Sequence, residues 1–220
     1  KISLPSFVYL GTRPDCFWLP GVTSAMGRGV IHSRIATSAF VLGKGVEETI
    51  GLFNEQHYEK LGYFSQYDSR QTELIQSYKN ATDIDISGAF SSWRHEGDFM
   101  HTPNHPHSRV LFDVIDIAMK DRGLSAPHDP QVVDRIRNSF DDYFAEGIGG
   151  PVYPEFVPRF EIKNPTTHWS TGSLTGPRVD FGVEEFVRRS FAAFDGVANL
   201  RSRVVNALGG EEEIALFGGQ

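Results

Sequence analysis

The chain has a single cysteine, Cys16, in 220 residues. No internal disulfide can form, so the fold relies on core burial, as suits a reducing compartment, with cytoplasm as the default. No apolar run approaches the roughly 18 to 20 residues that a membrane-spanning helix needs, which argues against a membrane span. Basic residues are scattered rather than gathered in a stripe, and the formal charge is −7. Nucleic acid is therefore not expected as the main partner. The first residues, Lys1 to Gly11, have neither a basic n-region nor an apolar h-region, and they lack an initiator Met. The chain thus reads as a single domain over residues 1–220, with room for a missing upstream N-terminal portion.

What is abundant is large apolar side chains: seventeen Phe, seven Tyr and three Trp suit one sizeable core. Hydrophobic spacing predicts a mostly helical chain with few short strands. Ser6 to Leu10 reads as a strand ending at Gly11. Helices are expected over Ser33–Leu42 with Ser33 as N-cap, over Val46–Leu61, over Arg70–Tyr78 with Ser69 as cap, and over Ser108–Arg122 ending at Gly123. A short helical turn after Asp85 would bring Phe90 and Trp93 together. Asp129-Pro130 opens another helix through Tyr143. Gly147 to Gly176 is rich in turn residues and reads as a long irregular segment. Asp180 then caps a last long helix from Val183 that resumes through Leu208.

Chemistry concentrates in His101-Thr-Pro-Asn-His-Pro-His107. Residues before proline are pushed toward extended backbone, so the segment cannot be helical and forms a stiff presenting loop. Imidazoles titrate near neutrality and an amide can donate to a developing oxyanion, which suits His105 as base and Asn104 as donor. The same side chains can instead cap the following helix. Zinc held by His101, His105 and His107 is disfavoured, because Pro106 limits their convergence and no His-Glu-x-x-His helix assists; no metal is expected. His32-Ser33 follows a loop with Gly27 and Gly29 and opens a helix, where an anion can dock or Ser33 can simply cap. Arg13-Pro-Asp15-Cys16 follows the first strand, the place where open α/β sheets put ligand-contacting loops. Cys16 is open to two readings there, a nucleophile paired with a histidine or a small buried hydrophobe.

Six segments, in chain order, carry a likeness: Phe7-Val-Tyr-Leu-Gly-Thr-Arg-Pro-Asp15; Ser24-Ala-Met-Gly27 with His32-Ser33; Leu61-Gly-Tyr-Phe64; Phe99-Met-His-Thr-Pro-Asn-His-Pro106; Pro151-Val-Tyr-Pro-Glu155; and Glu185-Phe-Val187. Together they resemble the WcbI-type polysaccharide biosynthesis family. The resemblance implies an α/β protein, its helices packed around a small parallel sheet, that binds coenzyme A, or acetyl-coenzyme A as substrate, and acts as an acyltransferase, specifically an O-acetyltransferase, on capsular or other surface glycans. It would make His105 or His32 the general base and Asn104 the oxyanion donor, and would place Ser33 and the helix start near a phosphate. Arg13, Asp15, His101 and Tyr153 would join Ser33 in binding substrate. Two departures stand out: the family's upstream Gly-Asn-Cys-Gln element is absent, and Arg13-Pro-Asp15 replaces His-Pro-Asp. A hydrolase using the same histidines, or a non-catalytic glycan- or nucleotide-binding module, are the competing readings, and the oligomeric state is open.

Overall fold

A computed structural model describes residues 4–27, 29–124, 129, 131, 148–173 and 176–219. Helices dominate: α1 (Arg34–Val41), α2 (Val46–Ile50), α3 (Glu55–Lys60), α4 (Gln66–Thr82), α5 (Ser87–Glu96), α6 (Ser108–Asp121), α7 (Phe156–Arg159), α8 (Val183–Phe194), α9 (Leu200–Leu208) and α10 (Glu211–Phe217). Strands pair in three separate two-stranded units: β1 (Cys16–Trp18) with β2 (Ile31–Ser33), β3 (Met100–Thr102) with β4 (His105–Pro106), and β5 (Trp169–Ser173) with β6 (Gly176–Phe181). The helix-rich α/β character holds. The sheet expected as parallel is not found among the described residues, where each pair is antiparallel.

Helix α1 starts where expected, because the Ser33 side chain accepts the Ala36 amide. The run predicted as one helix over Val46–Leu61 divides at Gly51, and Asn54 starts α3 by accepting the His57 amide. Helix α4 begins earlier than predicted, at Gln66, so Ser69 lies inside it and donates to the Gln66 carbonyl instead of capping. Phe90 and Trp93 are both buried on α5, and α6 ends beside Gly123, whose φ is 66°. The helix expected from Asp129 to Tyr143 lies outside the described residues, apart from Asp129 and Gln131.

Three further expectations are corrected. Ser6 to Leu10 has no sheet partner among the described residues; Phe7 and Tyr9 are buried while Val8 is exposed, so its alternation serves burial, and the Tyr9 amide donates to the Pro103 carbonyl at 2.8 Å. Asp180 is not a helix cap: it lies within β6, and Gly182 takes the N-cap position of α8. Gly147 to Gly176, read as irregular, holds α7 and β5.

The core forms two clusters. The larger gathers α1, α3 and α8 to α10 around a stack in which Tyr58 lies 4.9 Å from Tyr153 and Trp169 lies 4.4 Å from Phe186. The smaller packs Phe7 and Tyr9 against α4, α5, α6 and Phe99. A buried ion pair stands on the segments joining them: Arg13 Nη2 donates to Asp98 Oδ2 at 2.8 Å and Nη1 to Oδ1 at 3.2 Å, with both side chains 1% exposed. Arg13 Nε also donates to the Gly150 carbonyl, while Asp98 accepts the Met100 and Thr166 amides. Burial alone would raise the Asp98 carboxyl; Arg13 and the two amides outweigh it and hold the group below the ordinary value of 3.8.

Removing one partner of such a pair strands a desolvated charge. Asp98→Asn is expected to cost about 3–5 kcal/mol in denaturant unfolding, and a variant within about 1 kcal/mol of wild type would contradict the clasp. Because the folded value is depressed, the stabilisation is complete above the unfolded carboxyl's titration and is lost as pH falls through the folded value. Asp98→Asn should lack that acid-dependent contribution.

Candidate active site

Asp15 organises the first half of the site. Its Oδ1 accepts from the Tyr63 hydroxyl at 2.8 Å and from the Ile35 amide at 3.0 Å, and its Oδ2 accepts from the Tyr153 hydroxyl at 2.7 Å. Its backbone carbonyl accepts the Arg34 amide at 2.8 Å, and Ser33 Oγ accepts the Ala36 amide at 2.9 Å. The first three amides of α1 are thereby met inside the chain, and the anion that a helix N-terminus attracts is Asp15 itself. Burial, then the Asp15 charge, raises the Tyr63 and Tyr153 hydroxyls well above their ordinary range, so both stay protonated as donors.

The β1–β2 register sets Cys16 opposite Ser33 and Phe17 opposite His32. His32 is 4% exposed, with its ring 6.2 Å from Phe17 and 5.5 Å from Phe194. Its Nε2 lies 3.2 Å from the Val22 carbonyl. A carbonyl only accepts, so Nε2 carries the proton and Nδ1 is the acceptor nitrogen. Burial lowers the His32 pKa to about 4, against the opposing pull of the Val22 bond, and the ring is neutral at pH 7. Burial, helped by the Asp15 charge, pushes the Cys16 thiol up to about 12. A thiol that keeps its proton is a poor nucleophile, so the burial that raises Cys16 favours its small-hydrophobe reading.

Arg13, Asp15, Cys16, His32, Ser33 and Tyr153 line one cleft, with Gly150 and Pro151 beside them and Met26, Trp169 and Phe186 completing the wall. Its volume is about 20 Å³, room for roughly one water. Six of the residues singled out in the sequence thus converge there: Arg13, Asp15, Cys16, His32, Ser33 and Tyr153. His101, Asn104 and His105 are not in its lining. They stand on the β3–β4 hairpin, which bulges between Met100 and Thr102. Gly150 joins the two parts, its amide donating to the His101 carbonyl at 3.1 Å and its carbonyl accepting Arg13 Nε at 2.8 Å.

On the hairpin, Thr102 Oγ1 donates to Asn104 Oδ1 at 3.1 Å, which leaves the exposed Asn104 amide nitrogen as the donor end. The His101 and His107 rings stack at 4.1 Å and 17°. His105 is half-buried, and burial followed by the charge of His101 lowers its pKa below 6.5. No group of three or more His, Cys, Asp or Glu residues suited to a metal ion occurs among the described residues. Sequence reasoning missed Asp98, a lone carboxylate after Gly97 with no local signal, and gave no role to Tyr63, although it stands in the Leu61-Gly-Tyr-Phe64 segment.

The model of the polysaccharide biosynthesis enzyme family WcbI matches residues 1–127. The chain belongs to the WcbI family. The matched region contains the Arg13-to-Ser33 side of the cleft and the whole histidine hairpin, while Tyr153 and Trp169 lie beyond it. A solved structure of WcbI, described as a novel polysaccharide biosynthesis enzyme and as the native protein without a disulfide bond between coenzyme A and one of its cysteines, shares the fold. It is 13% identical, with a TM-score of 0.65 over 96% of this chain and 68% of that one. No curated protein matches the chain.

The depressed His32 pKa has a stability consequence. The unfolded chain takes up a proton near 6.5 and the folded one only near 4, so stability falls as pH drops through that window. The His32 share is roughly 3 kcal/mol. His32→Gln should lose that share of the fall between pH 7 and pH 4 in urea titrations; an unchanged slope would overturn the assignment.

Proposed function

We propose that this WcbI-family protein transfers an acyl group, acetyl in the simplest case, from a coenzyme A thioester to a glycan hydroxyl. The observation that carries this reading is His105: a half-buried imidazole with a lowered pKa, beside an oriented and exposed Asn104, on a hairpin inside the family-matched region. The family's place in polysaccharide biosynthesis supports a sugar acceptor, and the coenzyme A named for the similar WcbI structure supports the donor. The cleft is far too small for a nucleotide, so the bulk of the donor has to lie outside it.

In this reading neutral His105 takes the proton of the sugar hydroxyl as the oxygen attacks the thioester carbonyl. The Asn104 amide donates to the oxyanion that forms. Collapse breaks the carbon–sulfur bond, and the imidazolium returns its proton to the departing thiolate, giving ester and free coenzyme A. His105 is preferred to His32 as base because His32 is enclosed in the water-sized cleft. Arg13, Asp15, Ser33 and Tyr153, bonded to one another's segments, hold the wall behind the hairpin, and His101 shapes the charge around His105. A base of lowered pKa stays deprotonated into mildly acid solution.

Calorimetric titration with coenzyme A and acetyl-coenzyme A should show saturable micromolar binding, about −8 kcal/mol. Absence of binding by the folded protein would sink the proposal. His105→Gln should keep donor binding and lower transfer about 10²- to 10⁴-fold. In the wild type, the acid limb of the rate profile should fall below pH 6.5, the ordinary histidine value. Ester product formed only with a sugar acceptor separates transfer from hydrolysis.

A further inference from the structure

Arg34 is the first residue of α1 and is half-buried. Its Nε is buried with no hydrogen-bond partner, and its guanidinium meets no carboxylate among the described residues; its one packing partner of note is the Phe217 ring, 5.3 Å away. Every other described arginine reaches a carboxylate, except Arg203, which donates to the Gly21 carbonyl. In a chain of net charge −7, carboxylates are plentiful, so a half-desolvated cation left without one is out of pattern. Stacking on an aromatic face recovers part of that cost. It leaves the hydrogen-bonding edge of the fork unused.

We infer that Arg34 is the recognition group for a planar or tetrahedral oxyanion supplied by a ligand and held by its two-pronged guanidinium. The α1 amides do not provide this site, because Asp15 and Ser33 already take them; the side chain does. The Phe217 ring lies beneath the guanidinium, and a carboxylate or phosphate matches the fork's geometry where a neutral hydroxyl does not. Two sources present that chemistry to a glycan-building protein: the phosphates of a nucleotide-bearing donor and the carboxylate of an acidic sugar. The inference stands apart from the acyl-transfer reading, since either ion serves any reaction at the neighbouring site.

The test titrates the full chain at low salt with adenosine 3′,5′-bisphosphate and, separately, with glucuronate. One of the two probes is expected to saturate the wild type, with tenfold or more loss in Arg34→Gln and a several-fold loss in Arg34→Lys, which keeps the charge but not the fork. Which probe binds identifies the source. If neither binds the wild type, or if Arg34→Gln binds as tightly as wild type, the inference is overturned. Should Arg34→Gln fail to fold, Arg34→Lys decides: affinity equal to wild type refutes a two-pronged contact. Arg189→Gln, whose arginine already bonds Glu185, should leave both probes unaffected.

Discussion

The buried pair of Arg13 and Asp98 is the constraint on which the rest of the site depends. These residues are 85 positions apart in sequence, and between them they bind Thr12, Gly150, Met100 and Thr166. Four chain segments from the two core clusters are tied at one point. The pair is costly to desolvate and repays that cost only because its hydrogen bonds are nearly all made. Its value is less in net stability than in geometry: it fixes the β3–β4 hairpin relative to the β1–β2 cleft, two parts that no shared sheet connects.

Asp15 plays the complementary part at the other side. Its carboxylate satisfies the α1 terminus and two tyrosine hydroxyls, so the charge that would draw a ligand's anion to the helix is cancelled from within. Both strong charges of the cleft, Asp15 and Arg13, are therefore answered by the protein. Burial also lowers the pKa of His32 to about 4 and that of His105, on the hairpin, below its ordinary value. Imidazoles of lowered pKa beside internally matched charges suit the proton transfer proposed above, and leave anion capture to a group outside the cleft.

Much of this was legible in the sequence, and the reasons differ by residue. Ser33 reads as a cap because capping chemistry is local, and the structure shows the bond to Ala36 that local chemistry implies. The histidine segment reads as non-helical because proline acts on its immediate neighbour. Ser6 to Leu10 misled because alternation reports which side chains are buried, not whether a partner strand exists; Phe7 and Tyr9 are buried against helices instead. Asp180 misled because an acidic residue just ahead of an amphipathic run looks like a cap when the hairpin that precedes it has no strong signal. Asp98 was invisible, since its meaning lies wholly in a partner far away in sequence. Arg13, Asp15, His32 and Ser33 stood out by their places after a strand-like run and at a helix start, whereas Tyr153 came only through likeness to a family, and no spacing rule brought the five together.

The connection between cleft and hairpin turns on the segment after the undescribed stretch. A side-chain carbon at Gly149 would lie 2.4 Å from Ser170 Oγ, so a larger residue would make that hydroxyl turn away at the point where the chain pairs with β5 in both directions through the Ser170 amide and carbonyl. At Gly150 the same added carbon would meet only Arg13, at 3.9 Å, an ordinary contact. The Gly149–Ser170 pairing thus sets the depth of the crossing, and the next residue, Gly150, falls where its amide meets the His101 carbonyl and its own carbonyl meets Arg13 Nε. The Gly149–Ser170 pairing is what aligns the residue that links the histidine hairpin to the buried arginine, and it couples the position of that hairpin to the packing of β5 and the aromatic stack behind it.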